Sequence, residues 1–223
     1  MEFNTGTGRE EAEGSPRGSG VGGGHGGGGY DLSDPVHSFL ATVRGLVTQP
    51  AEFFRSVTLR GGLLNPIVFA MICAFIGAFL GGIIAILAAV GGLGEQTLGG
   101  AIGGFVGAII LTPILTPVFL FIGAGIAHLF VMLFVRPGNS GFWATFRVVS
   151  YLSATSLVSW VPILGGLVAA VWGVILSILG IREMHSTTTG RAALVVLVPV
   201  AIVLLLVGLV AFSVLVAIFA GGR

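Results

Sequence analysis

From Val36 onward the chain places apolar residues at helical spacing, and from Ile67 it becomes almost wholly apolar. Within residues 35–48, Val36, Phe39, Leu40, Val43, Leu46 and Val47 share one helical face, opposite His37, Ser38, Thr42 and Arg44. That pattern predicts an amphipathic helix. Pro50 suits the first turn of a second short helix, 51–60, which Gly61-Gly62 ends. Phe53, Phe54, Val57 and Leu59 give it an apolar side, while Arg55 and Arg60 can reach lipid phosphates. An amphipathic pair directly before a membrane span is expected to lie in the interface plane.

Apolar runs at 67–90, 98–135, 143–161, 163–181 and 192–220 then predict membrane-spanning helices. The second run has 38 residues, about 57 Å as one helix against about 30 Å of hydrocarbon. Pro113 and Pro117 lie near its middle, so it reads either as one broken span or as two crossings. Arginine placement decides between them. Five crossings with the amino end inside put Arg44, Arg55, Arg60, Arg136, Arg147, Arg182 and Arg191 on the inner side and only Arg223 outside. Six crossings leave four arginines on each side. The positive-inside rule selects five, with a cytoplasmic amino end and an external carboxyl end. Residues 98–112 are then expected to form an external interfacial or re-entrant half-helix leading into the second span.

Composition sharpens this picture. Of 223 residues, 55% are apolar and 9% charged, with a mean hydropathy of +1.06; soluble domains carry about 25% charged residues. Twelve of the 19 charges lie in residues 1–60. The fold class expected is an all-α membrane protein, a five-span bundle preceded by the amphipathic pair, in the cell (inner) membrane. Residues 1–30 hold 12 glycines, and 1–34 are expected to be a disordered cytoplasmic tail, followed by interfacial helices at 35–62 and the spanning domain at 63–223. Within the tail, Gly18-x-Gly20-x-x-Gly23 matches a dinucleotide pattern on paper. No strand precedes it and no helix follows, so nucleotide binding is not the reading. The net charge of +1, with no basic face, argues against nucleic acid.

Chemistry-bearing residues are few. His128 is the one ionisable side chain well inside a predicted span, which makes it a candidate intramembrane polar site by default. Ser150, Tyr151 and Ser153 on the third span are its expected companions. Residues 182–191 form a short charged inner loop in which Arg182, Glu183, His185 and Arg191, with Arg55 and Arg60, are candidate contacts for anionic headgroups or a protein partner. Small residues four apart at Gly77-Gly81-Ala85, Gly99-Gly103-Gly107 and Gly165-Ala169-Gly173 offer flat faces for packing within the bundle or for homo-oligomers. Paired intramembrane carboxylates, His-Glu-x-x-His and Gly-x-Ser-x-Gly are all missing, so no enzyme is read here. Cys73 is alone and the four histidines are scattered, so neither a metal site nor a cofactor is expected.

Three stretches carry a family likeness. They are Val47-Thr48-Gln49-Pro50-Ala51-Glu52-Phe53-Phe54 with Asn65-Pro66; Phe146-Arg147-Val148-Val149-Ser150-Tyr151 leading to Val161-Pro162-Ile163-Leu164-Gly165; and Leu179-Gly180-Ile181-Arg182-Glu183-Met184-His185 before Gly190-Arg191-Ala192. In their order they resemble the Yip-one (Ypt-interacting protein) family, in its prokaryotic form. The resemblance implies a five-span helical bundle with a cytoplasmic amino end. Eukaryotic members bind Rab-type GTPases. That role is not carried over, because Asp31-Leu32-Ser33-Asp34-Pro35 shares only a fragment of their Asp-Leu-Tyr-Gly-Pro motif. The expected function is a non-enzymatic membrane scaffold or adaptor. The rival is a small transporter or channel using the broken second span and His128, and a lipid-shaping role for the amphipathic pair is a third reading.

Overall fold

The computed structural model describes residues 28–59, 61–93 and 95–221; the dinucleotide-like glycines and Arg60 lie outside the described residues. These residues form eight α-helices and one 3-10 turn. Helices α1 (Pro35–Thr48) and α2 (Pro50–Ser56) precede α3 (Leu64–Val90) and α4 (Leu98–Phe134). A segmented element follows, in which α5 (Phe142–Leu152), the 3-10 turn Ser153–Thr155 and α6 (Ser156–Ser159) run end to end. Helices α7 (Leu164–Met184) and α8 (Thr189–Gly221) complete the chain. Four of these, α3, α4, α7 and α8, are long and apolar enough to cross a membrane.

Helix α4 departs from expectation. Its 37 residues run unbroken with both Pro113 and Pro117 inside, so 98–112 is neither a separate half-helix nor re-entrant. Each proline removes one backbone hydrogen bond, but ending the helix in an apolar surround would strand several more backbone groups. The Thr116 hydroxyl donates to Thr112 O at 2.7 Å beside the prolines.

The third expected span departs the other way. Residues 142–159 are helical in pieces, and their polar side chains explain the break. Thr155 Oγ1 donates to Leu152 O at 2.9 Å and Ser159 Oγ to Ser156 O at 3.2 Å. Such bonds reach carbonyls three residues back and favour tighter turns over a regular helix. This segment carries the buried polar groups Thr145, Arg147 and Ser150. Arg147, expected to flank the inner side, is 4% exposed and donates to Gly61 O at 2.8 Å, tying α5 to the entrance of α3.

The short helices pack differently from simple lipid-facing cover. Phe53 and Phe54 are buried in the bundle: the Phe53 ring meets Tyr151 edge-on at 5.0 Å, and Phe54 lies against Gly180. On α1, Thr42 is buried beside Leu46 although the pattern put it on the polar face, whereas Val36, Leu40 and Val47 are exposed. The chain is anchored still earlier, within the expected tail. Tyr30 is buried on Phe69 with ring centres 6.0 Å apart, and Gly28 N donates to Ser56 O at 2.8 Å.

Two of the three small-residue faces are filled. A Cβ on Gly77 would come within 2.6 Å of Ser156 O, and Gly173 lies against Thr155. Beside Gly99, Gly103 and Gly107 there is open space. Most of α8 beyond Val200 is likewise exposed and apolar, as expected of surface turned to lipid.

Candidate functional site

The polar side chains gather at one end of the bundle, where α2, the 135–141 loop, the last turn of α7 and the first turn of α8 meet. Helix α7 runs to Met184 and α8 starts at Thr189, so Arg182 and Glu183 are helical and the connecting loop is only 185–188. Glu183 is clamped from both sides. Arg55 Nε donates to its Oε2 at 2.7 Å and Arg55 Nη2 to Oε1 at 3.2 Å, while Arg182 Nε donates to Oε1 at 2.7 Å. This fork ties the short helix α2 to α7. Arg191 Nη1 donates to Arg136 O at 3.0 Å, joining α8 to the end of α4. Beside the Glu183 cluster opens a cavity of about 730 Å³ whose walls include Phe54, Arg55, Ser140, Arg182, Glu183 and Thr187. Thr187 Oγ1 is buried there with no hydrogen-bond partner.

Behind this cavity runs a chain of hydrogen bonds, fully buried at its central His185–Thr145 link and part-buried at both ends. Ser140 N donates to His185 Nδ1 at 3.1 Å. His185 Nε2 lies 3.0 Å from Thr145 Oγ1, and Thr145 Oγ1 lies 2.9 Å from His128 Nδ1. A backbone N–H can only donate, so His185 Nδ1 must be bare. The neutral ring therefore carries its proton on Nε2 and donates to Thr145, whose own hydroxyl proton is left for His128 Nδ1. Burial, with His128 as the second cause, pushes His185 down to about 4, so it stands uncharged at neutral pH.

The structure regroups the residues singled out by pattern. His128 and His185, expected in separate sites, belong to one network, and His185 is fully buried rather than on a loop surface. The expected companions of His128 are engaged elsewhere. Ser150 Oγ donates to Phe146 O at 2.9 Å, Tyr151 sits among Tyr30, Phe53 and Phe69, and Ser153 opens the 3-10 turn. The intermediary, Thr145, gives no signal in the sequence: a lone threonine in an apolar run is unremarkable until the fold sets it between two imidazoles. Ser140 contributes only its backbone, which no sequence pattern reveals. Chemically the network can order three elements and hold protons. It lacks a carboxylate partner for acid–base work, since Glu183 is committed to two guanidinium groups.

Among the described residues no group of three or more His, Cys, Asp or Glu is placed to hold a metal ion. A comparison with curated proteins and one with solved structures each return no match. The family comparison does: the model of the Yip1 domain matches residues 44–212, from the middle of α1 deep into α8. This is a membrane protein whose arginine-bearing end, histidine network and apolar helices, save the last turns of α8, fall within that match, and the chain belongs to the Yip1 domain family.

Proposed function

We propose that this protein is a non-enzymatic scaffold or adaptor, which holds a five-span bundle in the cell membrane and recruits a protein partner at its cytoplasmic end. In this reading the segmented element 142–159 also crosses, third in chain order and the addition that brings four long helices to five spans; the amino end is inside and the carboxyl end outside. Support comes from the arginines: Arg55, Arg136, Arg182 and Arg191, counted to the inner side by sequence, lie at one end, Arg55 and Arg182 both on Glu183 and Arg191 on the Arg136 carbonyl. The positive-inside rule places that end in the cytoplasm.

The observation that carries the adaptor reading is the Arg55–Glu183–Arg182 cluster at the mouth of an open cavity, where Arg55 keeps 61% of its side chain exposed. Two cations against one anion leave a net positive rim, suited to acidic side chains of a partner or to anionic headgroups. The test is isolation from native membranes in lipid nanodiscs, with quantitative mass spectrometry of what co-purifies. A stoichiometric partner lost on Arg55→Ala with Arg191→Ala supports the adaptor. Retention of that partner by the double variant removes the proposed surface.

The transporter reading loses its main structural motive, since α4 is continuous and His128 is bonded to Thr145. Solute uptake in proteoliposomes that is abolished by His128→Phe would restore it. The lipid-shaping reading cannot rest on Phe53 and Phe54, which are core residues; it would rest instead on Val36, Leu40 and Val47. Association of two copies, if it occurs through a small-residue face, is left with Gly99, Gly103 and Gly107.

A further inference from the structure

We propose that the chain Ser140–His185–Thr145–His128 is a proton-released latch, which holds the α4–α5 loop against the α7–α8 loop while both imidazoles are neutral and frees it when His185 takes up a proton. The argument rests on donors and acceptors. Ser140 offers a backbone N–H, which has no acceptor capacity. His185 Nδ1 can meet it at 3.1 Å only as a bare nitrogen. Protonation would set N–H against N–H at a fully buried imidazole, so the latched geometry and a charged His185 exclude each other.

The other end of the chain works in the same sense. Thr145 has one hydroxyl proton, which the neutral arrangement spends on His128 Nδ1. A charged His128 would point a proton back at Thr145, and such a charge would disfavour charging His185. Among the described residues no carboxylate compensates a charge on His185. Charged groups on the neighbouring elements include Arg136 at the end of α4, Arg147 on α5, Arg191 on α8, Arg55 on α2, and Arg182 and Glu183 on α7 itself. Glu183, the one carboxylate among them, is held by Arg55 and Arg182.

The direction with pH follows. His185 sits near 4 while latched, and an imidazole exposed on release returns to about 6.5. The released form therefore binds more protons between those values, so the latch is fully set above about pH 6.5 and weakens as pH falls toward 4. Relative to pH 7.5, the ratio of released to latched molecules should rise roughly 30-fold at about pH 5. Ser140 and Thr187, one on each loop, line the inner cavity, so release alters its wall. The inference stands apart from the adaptor reading, because it concerns the loops whether or not a partner binds.

The test is amide hydrogen exchange of the full chain in nanodiscs at pH about 7.5 and about 5, corrected for chemical exchange. Protection of the 138–144 segment should fall roughly 30-fold in the native protein. In His185→Gln, which keeps one donor and one acceptor but cannot titrate, it should not change. A fall in the native protein no larger than in His185→Gln overturns the latch. Should that variant fail to fold, nitrogen chemical shifts of the native His185 ring decide instead. A bare Nδ1 with a protonated Nε2 at neutral pH supports the latch, and a protonated Nδ1 overturns it.

Discussion

A hydroxyl with one proton and two lone pairs can serve a donor and an acceptor at once, and Thr145 sits where both are required. It accepts from His185 and donates to His128, at 3.0 and 2.9 Å. Valine at this position would keep the shape and remove both bonds, leaving the His185 N–H unpaired in a buried site. The expected cost is about 1–3 kcal/mol, read as a lower midpoint of thermal unfolding in detergent. A Thr145→Val protein as stable as the native one would show that the network is not coupled as described. At this scale sequence was a partial guide. His128 stood out because an ionisable group in an apolar run is expensive, but its partners lie 17 residues away and across the bundle. No local periodicity encodes a contact made by three elements. His185 was misplaced for a related reason: a charged neighbourhood in sequence looks exposed, whereas the helix end buries this one side chain.

Among the elements, glycines separate required packing from vacant surface. A Cβ on Gly180 would approach Val148 Cγ1 to 2.7 Å and Phe54 Cζ to 3.1 Å, so α7 must slide away from α5 and α2 to admit it. Gly180→Ala is expected to destabilise the fold by about 1–3 kcal/mol. Gly103→Ala meets nothing within 4 Å and should leave stability unchanged or raised by up to about 1 kcal/mol, since alanine is the better helix former. Thermal melts of the two variants in one detergent check both; equal losses would contradict this packing. The helices themselves were largely legible. Amphipathic spacing located α1, Pro50 located the start of α2, and apolar runs located α3, α4, α7 and α8 to within a few residues. The breaks were less so. Proline suggested a rupture in α4 that the apolar surround suppresses, while hydroxyls in 153–159 bend a run that looked regular. The apolar face of α2 was legible too, but not its direction, because lipid and protein interior attract the same phenylalanines.

For the whole molecule, the distribution of charge is the strongest constraint. Apolar side chains cover most of the helical surface, and the arginines converge on one end through Glu183 and the Arg136 carbonyl. Crossing parity follows only if the segmented element 142–159 traverses the membrane. It then places the 135–141 and 185–188 loops on one side and the carboxyl end on the other. The adaptor reading depends on this arrangement, since a cavity facing outward could meet no cytoplasmic partner. The direct measurement is topology mapping in intact cells, with membrane-impermeant labelling of single cysteines in a Cys73→Ala background. Cysteines replacing Asn139, Thr188 and Gly222 suffice. Asn139→Cys and Thr188→Cys should be shielded until the membrane is permeabilised, and Gly222→Cys labelled from outside. Labelling of all three from the same side would contradict the five-span arrangement and with it the cytoplasmic adaptor.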